Sequence, residues 1–256
     1  MNEELERIRT EYARRDAAGK SDLYSYTNPA FLYHIQEREQ GLMRMLRRAG
    51  VELSAADVLE IGCGTGHILQ RFLDFGTRSV VGLDLMPHRV AMGHAKYPAV
   101  GMVCGDAGDL PFASESFGLV AQFMCLSSVL DSSLRARIAQ EMWRVVSPGG
   151  VIVSYDMRPS SILRRSIFYC TRHLNGARPG KASARTITPT QPVGIDELRR
   201  LFPAGRMDVL PLSLDFNLAS VAGISWLLAS SLSSIPALRT HWLSVIRKPE
   251  EARRGG

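Results

Sequence analysis

A glycine-rich run is the clearest sign of chemistry in this sequence. It spans residues 60–66, reads EIGCGTG, and directly follows a short apolar stretch. Glycine has no Cβ, so a ligand can approach the backbone of such a turn closely. The helix that we expect after the run presents unbonded N–H groups and a partial positive charge, which favour a carboxylate or a phosphate. The run therefore predicts a ligand site where a strand turns into a helix.

The spacing of the glycines and two nearby acids narrow the class of ligand. The glycines occupy positions 62, 64 and 66, whereas the dinucleotide-binding fingerprint has its third glycine one residue later, where His67 stands. Glu60 precedes the turn by two residues and suits a cationic amino acid group better than a pyrophosphate. Asp84 follows Gly62 by 22 residues. At the end of a second strand, its carboxylate can accept hydrogen bonds from both hydroxyls of a ribose.

Short strands alternate with helices around these residues. The patterns predict strands over 57–61, 79–83, 101–104, 117–123 and 151–155, and helices over 67–75, 87–97 and 132–146. A helix over 195–202 and strands over 207–214 and 241–246 follow. This alternation predicts βαβ units with right-handed crossovers. We therefore expect a doubly wound α/β domain with a mostly parallel, seven-stranded sheet.

The remaining segments divide the chain into a cap, a main domain, a lid and a tail. A helix over 31–48, with Asn28-Pro29 as its start signal and Gly50 as its end, indicates a helical cap over residues 1–50. The main domain is expected over 51–247, with a lid or insertion over 157–194 and a disordered tail over 248–256. Residues 216–238 contain no charge. Their length would span a bilayer, but six serines favour a pair of buried or surface-docked helices.

With these motifs in place, the chain resembles the class I S-adenosylmethionine-dependent methyltransferases of the bacterial small-molecule type. The resemblance covers about residues 55–157. It rests on five stretches in the family's order and spacing, which are residues 58–66, 80–85, 105–112, 117–123 and 144–150. Each stretch alone is a weak signal, and the five together are specific. The resemblance implies S-adenosylmethionine as the cofactor.

The resemblance also implies which residues bind that cofactor. Gly62 and Gly64 would pass under the methionine part, Asp84 would hold the ribose, and Asp106 would meet the adenine amino group. Either Phe123 or Met124 would lie near the sulfonium. The complete implied set is Glu60, Gly62, Gly64, Asp84, Leu85, Asp106, Ala107 and Phe123.

The catalytic residues must come from outside the family motifs. A hydroxyl acceptor needs a base, whereas an amine needs only to be unprotonated. His173, in the predicted lid, is our candidate base, and His34 is a second candidate that could equally be a packing residue. Asp156 could bind acceptor or magnesium, although a capping role is favoured, and the spacing of residues indicates no metal site. Three tyrosines could close over the cofactor, namely Tyr24, Tyr26 and Tyr33.

The charge distribution points to the class of acceptor. The chain carries a net charge of +6, and between Met157 and Ile195 there are seven basic residues and no acid. Such a segment attracts anions, and the uncharged stretch 216–238 suits an apolar group. We therefore favour a small-molecule acceptor with a hydroxyl group, anionic or amphiphilic, such as a sugar, a glycan intermediate or another secondary metabolite. Peripheral contact with a membrane fits the same pattern. The seven basic residues are Arg158, Arg164, Arg165, Arg172, Arg178, Lys181 and Arg185.

Other functions are weighed against this one. A nicotinamide oxidoreductase would be expected to carry a Tyr-x-x-x-Lys pair, and the sequence has none. Methylation of RNA stays open because of the basic segment, although a nucleic acid partner is disfavoured. A non-catalytic protein with a methyltransferase-like fold, which acts as a binding or scaffold partner, is a further alternative. The presence of Glu60, Asp84 and Asp106 disfavours it. Four separated cysteines without a CxxC pair indicate reduced thiols, and a charged amino terminus without a signal-peptide pattern predicts the cytoplasm.

Overall fold

Seven strands form one sheet in a computed structural model that describes residues 2–17, 25–159 and 189–250. The strand order is β3-β2-β1-β4-β5-β7-β6. Strands β1 to β5 run parallel, and β7 runs antiparallel to both β5 and β6. The predicted doubly wound, mostly parallel sheet is confirmed. The strands are β1 (Asp57–Ile61), β2 (Ser79–Asp84), β3 (Gly101–Cys104), β4 (Phe117–Phe123), β5 (Val146–Met157), β6 (Arg206–Leu214) and β7 (Arg239–Arg247).

Helices connect and cover the strands. Strand β5 begins five residues earlier than predicted, because the turn at 148–150 lies within the strand and shifts its register against β4. The other predicted elements agree with the structure to within two residues, and the short helix α5 was not predicted. The helices are α1 (Asn2–Ala17), α2 (Pro29–Arg48), α3 (His67–Asp74), α4 (Pro87–Lys96), α5 (Cys125–Ser128), α6 (Ser132–Val145), α7 (Ile195–Leu201), α8 (Phe216–Ala219) and α9 (Trp226–Ser233).

Each face of the sheet packs against its own layer of helices. Successive side chains of a strand point to opposite faces. Val58 accordingly belongs to the core beneath α2, α3 and α4, whereas Leu59 belongs to the core beneath α6 and α7. Helix α1 joins the second layer through Ile8, so the two amino-terminal helices lie on opposite faces. The amino-terminal region is therefore built into both layers of the domain.

Helix α2 begins and ends as the sequence predicts. The Asn28 side chain accepts hydrogen bonds from the backbone N–H groups of Ala30 (2.9 Å) and Phe31 (3.4 Å), and Pro29 occupies the first helical position. Gly50, with a φ of +63°, follows the last turn. The helix packs across β6 and β7 at its sheet face and contacts α8 at its start. It thus reaches the edge of the sheet where the glycine-rich turn lies.

The uncharged segment 216–238 forms several short helices rather than one long one. Helices α8 and α9 alternate with two 3₁₀ turns, Ser220–Gly223 and Pro236–Leu238. Within the described ranges of the chain, no helix is both long enough and apolar enough to cross a membrane.

Part of the predicted lid lies outside the described residues. His173, the candidate base, falls in the range 160–188, as do six of the seven basic residues of that segment. Tyr24 and Cys170 also lie outside the described residues. Lys248 was predicted to begin the tail, but its ammonium donates to the carbonyl oxygens of Trp143 (3.1 Å) and Val146 (2.9 Å). Lys248 therefore contacts the main domain.

Candidate functional site

The glycine-rich turn joins β1 to α3 at the carboxyl edge of the sheet. Gly62, Gly64 and Gly66 have φ angles of +69°, +58° and +76°, a region that residues with a Cβ rarely occupy. The backbone N–H of Gly62 donates to the carbonyl oxygen of Leu83 (2.8 Å), which fixes the turn beside β2. A Cβ placed on Gly64 would meet no atom within 4 Å. The turn therefore presents bare backbone to an open space.

Asp84 connects this turn to the end of β2. Its Oδ2 accepts a hydrogen bond from the backbone N–H of Gly64 (2.8 Å), and its Oδ1 accepts one from Met86 (2.9 Å). The side chain is buried, with 7% of its surface exposed. Each carboxylate oxygen has two acceptor positions, so one on each oxygen remains for a ligand. This arrangement suits a ligand that presents two neighbouring hydroxyl groups.

Glu60 is a buried acid in β1, before the glycine turn. It is 1% exposed, and among the described residues its Oε2 has no hydrogen-bond partner. Burial raises the pKa of this carboxyl well above its ordinary value of 4.5, and the positive charge of Arg38 only partly opposes the shift. An unpaired buried carboxyl is costly unless a donor or a cation is supplied to it. The site is therefore prepared for a ligand that carries such a group.

Replacing Glu60 with Gln (Glu60→Gln) is expected to stabilise the ligand-free protein at neutral and alkaline pH. The stabilising contribution of the protonated carboxyl is fully present below its ordinary pKa of 4.5 and is lost as the pH rises through the raised pKa. A neutral amide has no such loss. At about pH 8, the free energy of unfolding should exceed that of the natural protein by about 1 kcal/mol or more. Urea unfolding measured over a pH series checks this.

The matched control for this experiment is Glu52→Gln, at an exposed acid on the loop before β1. This change removes the same charge at the surface, so a difference between the two variants reports on the buried position of Glu60. If Glu60→Gln left the dependence of stability on pH unaltered, the inference that the Glu60 carboxyl is buried without a partner would be contradicted.

An aromatic cluster with one cation adjoins the glycine turn on the β5 side. The guanidinium carbon of Arg38 lies 5.5 Å from the ring centroid of Phe123 and 5.9 Å from that of Tyr155. The Tyr155 ring stacks on His241, with centroids 4.7 Å apart and planes 4° from parallel. These side chains come from α2 and from the site ends of β4, β5 and β7. They form a second half of the site, which we call the acceptor cluster: Arg38, Phe123, Tyr155 and His241.

Hydrogen bonds determine which nitrogen of the His241 ring carries the proton. The hydroxyl of Thr240 donates its only hydrogen to the carbonyl oxygen of Ser213 (3.0 Å). The contact between Thr240 Oγ1 and His241 Nδ1 (2.8 Å) therefore requires that Nδ1–H donates. In the neutral ring, Nε2 is then the basic nitrogen. Burial raises the pKa of Tyr155 to about 12, so its phenol stays protonated and is not the base at neutral pH.

Sequence reasoning missed both Arg38 and His241. Arg38 occupies a position in the inward stripe of α2, between Ile35 and Leu42, where an apolar residue is expected. That break in the pattern was a usable signal. His241 was assigned only to a strand, because nothing local indicates that β7 returns antiparallel and starts beside the end of β5.

The other predicted cofactor residues lie around the ends of β2 and β3. Asp106 is half-buried, and its Oδ1 accepts a hydrogen bond from the backbone N–H of Gly108 (2.8 Å). Leu85 and Ala107 are partly buried and pack against the core on the α6 face. Phe123, at the end of β4, belongs to the acceptor cluster. Their contacts with adenine and with the sulfonium remain predictions.

The remaining candidates of the sequence analysis have structural partners. His34 contacts the carbonyl oxygen of Leu214 through Nε2 (2.5 Å) and packs edge-on against Phe216. Burial lowers the pKa of His34 to about 4. The ring is therefore neutral and held by these contacts, as the packing alternative expects. Tyr33 is buried and packs against Trp226, with ring centroids 5.0 Å apart. Tyr26 is exposed and contacts Phe31.

Asp156 caps a helix rather than facing the site. It is fully buried, and its Oδ1 accepts a hydrogen bond from the backbone N–H of Ser127 in α5 (2.9 Å). Its Oδ2 accepts from the side chains of Ser154 (3.0 Å) and Gln122. Burial raises the pKa of Asp156 to about 6. All of its contacts serve the connection between β4 and β5.

Metal and thiol chemistry find no support in the part of the chain that is described. No group of three His, Cys, Asp or Glu side chains in these residues could hold a metal ion. Cys63, Cys104 and Cys125 are free thiols, and burial raises the pKa of Cys63 and Cys125. Cys63 is buried, Cys125 is partly buried and Cys104 is exposed.

The two halves of the site fit a sulfonium nucleoside with an amino acid tail. The open space over Gly64 admits the tail without a steric clash, and the orphaned oxygen of Glu60 can accept from its ammonium group. Asp84 offers two acceptor positions to a ribose. Phe123 and Tyr155 provide aromatic faces, which attract a cation such as a sulfonium. The residues present therefore fit the cofactor that the sequence motifs imply.

Comparison with known proteins agrees with this fit. The family model for a methyltransferase domain matches residues 59–154. A probable S-adenosylmethionine-dependent methyltransferase of Mycolicibacterium smegmatis is 32% identical over 121 residues, which make up 47% of this chain and 44% of that protein. A demethylmenaquinone methyltransferase of Renibacterium salmoninarum is 30% identical over 168 residues, which make up 64% of this chain and 68% of that protein. The chain thus spans less than half of the first relative and about two thirds of the second.

A solved structure gives the same architecture. The S-adenosylmethionine-dependent methyltransferase of Mesorhizobium loti superposes with a TM-score of 0.55 and 19% sequence identity, covering 80% of this chain and 96% of the other. At this identity the likeness concerns the fold alone.

Proposed function

This chain belongs to the class I S-adenosylmethionine-dependent methyltransferases, and we propose that it transfers the methyl group of S-adenosylmethionine to a hydroxyl group of an amphiphilic small molecule. The observation that carries the cofactor assignment is the buried, unpaired carboxyl of Glu60 beside the open turn at Gly64. A nicotinamide dinucleotide would bring a pyrophosphate, which offers the buried Glu60 carboxyl no ammonium group or other donor.

The Glu60→Gln variant tests this assignment as well as the stability of the free protein. Loss of the charged acceptor for the cofactor's ammonium should weaken S-adenosylmethionine binding about tenfold or more, measured by titration calorimetry. The same variant is expected to be the more stable one without ligand. A variant that is more stable but binds the cofactor more weakly indicates that Glu60 is a ligand-binding acid. If Glu60 were purely structural, its replacement would lower both the stability and the affinity.

The protein's own part in methyl transfer is to align the acceptor and to remove a proton. When bound, S-adenosylmethionine supplies an activated methyl group whose carbon–sulfur bond breaks as the new carbon–oxygen bond forms. Arg38, Phe123 and Tyr155 line the side of the site from which an acceptor approaches, and their packing excludes water. The Nε2 atom of His241, oriented by Thr240, accepts the proton that leaves the hydroxyl. We propose this role for His241, with His173 of the predicted lid as the alternative base.

Replacing His241 with Asn (His241→Asn) is expected to lower the rate of methyl transfer by about 100-fold. The amide of Asn can still donate to Thr240, so the local hydrogen bond is kept while the basic nitrogen is lost. Binding of S-adenosylmethionine should change less than about twofold, because His241 lies on the acceptor side. Single-turnover transfer and calorimetry, measured on the same preparation, check the two expectations.

The control for that change is His94→Asn, at an exposed histidine in α4, which should leave both quantities unchanged. Equal rates for His241→Asn and the natural protein, at every pH tested, would remove His241 from the reaction.

The amphiphilic character of the acceptor is supported by the surroundings of the site. The acceptor cluster is aromatic with one cation. Phe216 of the uncharged segment 216–238 packs on His34, which lies one helical turn before Arg38 in α2. One relative is named for methylating demethylmenaquinone, a quinone. Sugars and glycan intermediates with apolar anchors belong to the same class. Methylation of RNA is the second candidate, because the basic segment between residues 157 and 195 would favour it.

Transfer of label from tritiated S-adenosylmethionine into cell extract distinguishes these acceptors. We expect the label in the organic phase after solvent partition, and mass analysis then gives the methylated product. Label confined to RNA or to protein would contradict an amphiphilic small-molecule acceptor while leaving the cofactor assignment intact.

A further inference from the structure

Exposed apolar side chains are concentrated in one surface segment. Among the described residues, seven large hydrophobic side chains are exposed, and five of them lie between residues 224 and 235. Ile224 is 89% exposed and Leu227 is 79% exposed. Single exposed apolar residues are ordinary, but a contiguous group marks an interaction surface. We call this group the apolar patch: Ile224, Trp226, Leu227, Leu228 and Ile235.

Helix α9 is more apolar on its outer side than on its inner side. Leu227 and Leu228 face outward, whereas the buried positions of the helix are Ala229 and Ser233. A helix that only covers a core has the opposite distribution. Ile224 and Ile235 flank the helix on either side and are also exposed, by 89% and 48%. The outer face is therefore built to contact something apolar outside the chain.

The apolar patch lies at the same edge of the sheet as the site. It belongs to the connection between β6 and β7, and β6 runs in the same direction as β1 because both β6 and β5 are antiparallel to β7. The carboxyl ends of β6 and β1 consequently share one edge. The connection then leads through Thr240 into His241. The apolar patch is therefore joined through the chain to the acceptor cluster, at one edge of the sheet.

The charges around the apolar patch are positive. The guanidinium of Arg158 donates to the carbonyl oxygen of Pro236 (2.8 Å), beside Ile235. Exposed Arg44 lines the cleft that also includes Trp226 and Leu227. Residues 216–238 contain no acid. The acid of that cleft, Glu37, is largely buried and accepts from the backbone N–H of Leu214 (3.0 Å).

We propose that the apolar patch docks on an anionic lipid surface, from which the enzyme takes its amphiphilic acceptor. The identity of the acceptor in this proposal rests on the proposed function, whereas the binding to lipid rests on the apolar patch alone. Apolar side chains enter the boundary between head groups and acyl chains, while arginines at the rim attract anionic head groups. A second copy of this chain fits less well, because a symmetric contact would bring the same arginines of both copies together.

Cosedimentation with lipid vesicles tests the proposal. The natural protein should bind vesicles of phosphatidylglycerol and phosphatidylcholine in equal parts, and binding should fall as salt is added. The triple change Ile224→Ser, Leu227→Ser and Leu228→Ser should weaken binding by at least about tenfold. Arg44→Ser should weaken it by about fivefold. Pure phosphatidylcholine vesicles should bind more weakly than the mixture.

Matched controls keep the interpretation specific. Met92→Ser removes an exposed apolar side chain (58% exposed) from α4, outside the patch, and Arg206→Ser removes an exposed arginine at the opposite end of β6. Neither should alter vesicle binding. Titration of the triple variant with S-adenosylmethionine should give the natural affinity, which separates failure of the surface from failure of the proposed function.

Three results would overturn the proposal. The first is a natural protein that does not bind the mixed vesicles at low salt. The second is a triple variant that binds them as tightly as the natural protein does. The third is a triple change that converts a dimer to a monomer in sedimentation velocity while vesicle binding stays the same, which would make the patch a contact between copies.

Discussion

Replacing Asp84 with Asn (Asp84→Asn) is expected to weaken the binding of S-adenosylmethionine by about 100-fold or more. In the structure, both carboxylate oxygens accept from backbone N–H groups, those of Gly64 and Met86. An amide has only one oxygen, so its NH₂ group would face one of these donors. The variant therefore disturbs the glycine turn and also removes the charged acceptor that we propose for the ribose. Titration calorimetry at a temperature where the variant is folded measures the loss.

The control for Asp84 is Asp109→Asn, at an exposed acid in the loop after β3. It has the same change of charge and should keep the natural affinity. Circular dichroism should show that Asp84→Asn is folded, although less stable, because it loses one hydrogen bond of the turn. If the affinity of Asp84→Asn for S-adenosylmethionine were within about twofold of that of the natural protein, Asp84 would only stabilise the turn and would not bind the ribose.

The first half of the site was predictable because its signals are local in sequence. The residues between Val58 and Asp84 contain a strand, the glycine turn, a helix and a second strand in unbroken order. A parallel sheet brings the carboxyl ends of adjacent strands to one edge, so the sequence alone suffices to place Glu60, Gly64 and Asp84 together. The strand limits followed from apolar runs bounded by glycine and aspartate.

The second half depends on contacts between distant parts of the chain. Arg38 comes from α2, Tyr155 from β5 and His241 from β7, and no motif connects them. Their proximity follows from the antiparallel return of β7 beside β5, which sets Met157 opposite His241. Distant contacts also decide the role of His34. A histidine that the sequence placed near the site proved to be bonded to Leu214, because α2 crosses β6.

Replacing Gly64 with Ala (Gly64→Ala) is expected to weaken S-adenosylmethionine binding by about 100-fold and to lower the free energy of unfolding through backbone strain. The φ of +58° disfavours any residue with a Cβ, at a cost of about 1 to 2 kcal/mol. The added methyl group meets no protein atom within 4 Å, so it packs against nothing in the free protein. It enters the space that we propose for the amino acid tail of the cofactor, where overpacking costs about 1 to 3 kcal/mol. Calorimetry and urea unfolding measure the two effects.

The chain offers a closely matched control for this change. Gly50 has a φ of +63°, and a Cβ on it would also meet no atom within 4 Å. It lies between α2 and β1, whereas the glycine turn follows the other end of β1. Gly50→Ala should therefore lose about the same free energy of unfolding as Gly64→Ala and should keep the natural affinity for S-adenosylmethionine. Because the two variants share backbone strain and differ in location, their difference in affinity isolates the space over Gly64. If both variants bound the cofactor equally well, the amino acid tail would have to lie elsewhere.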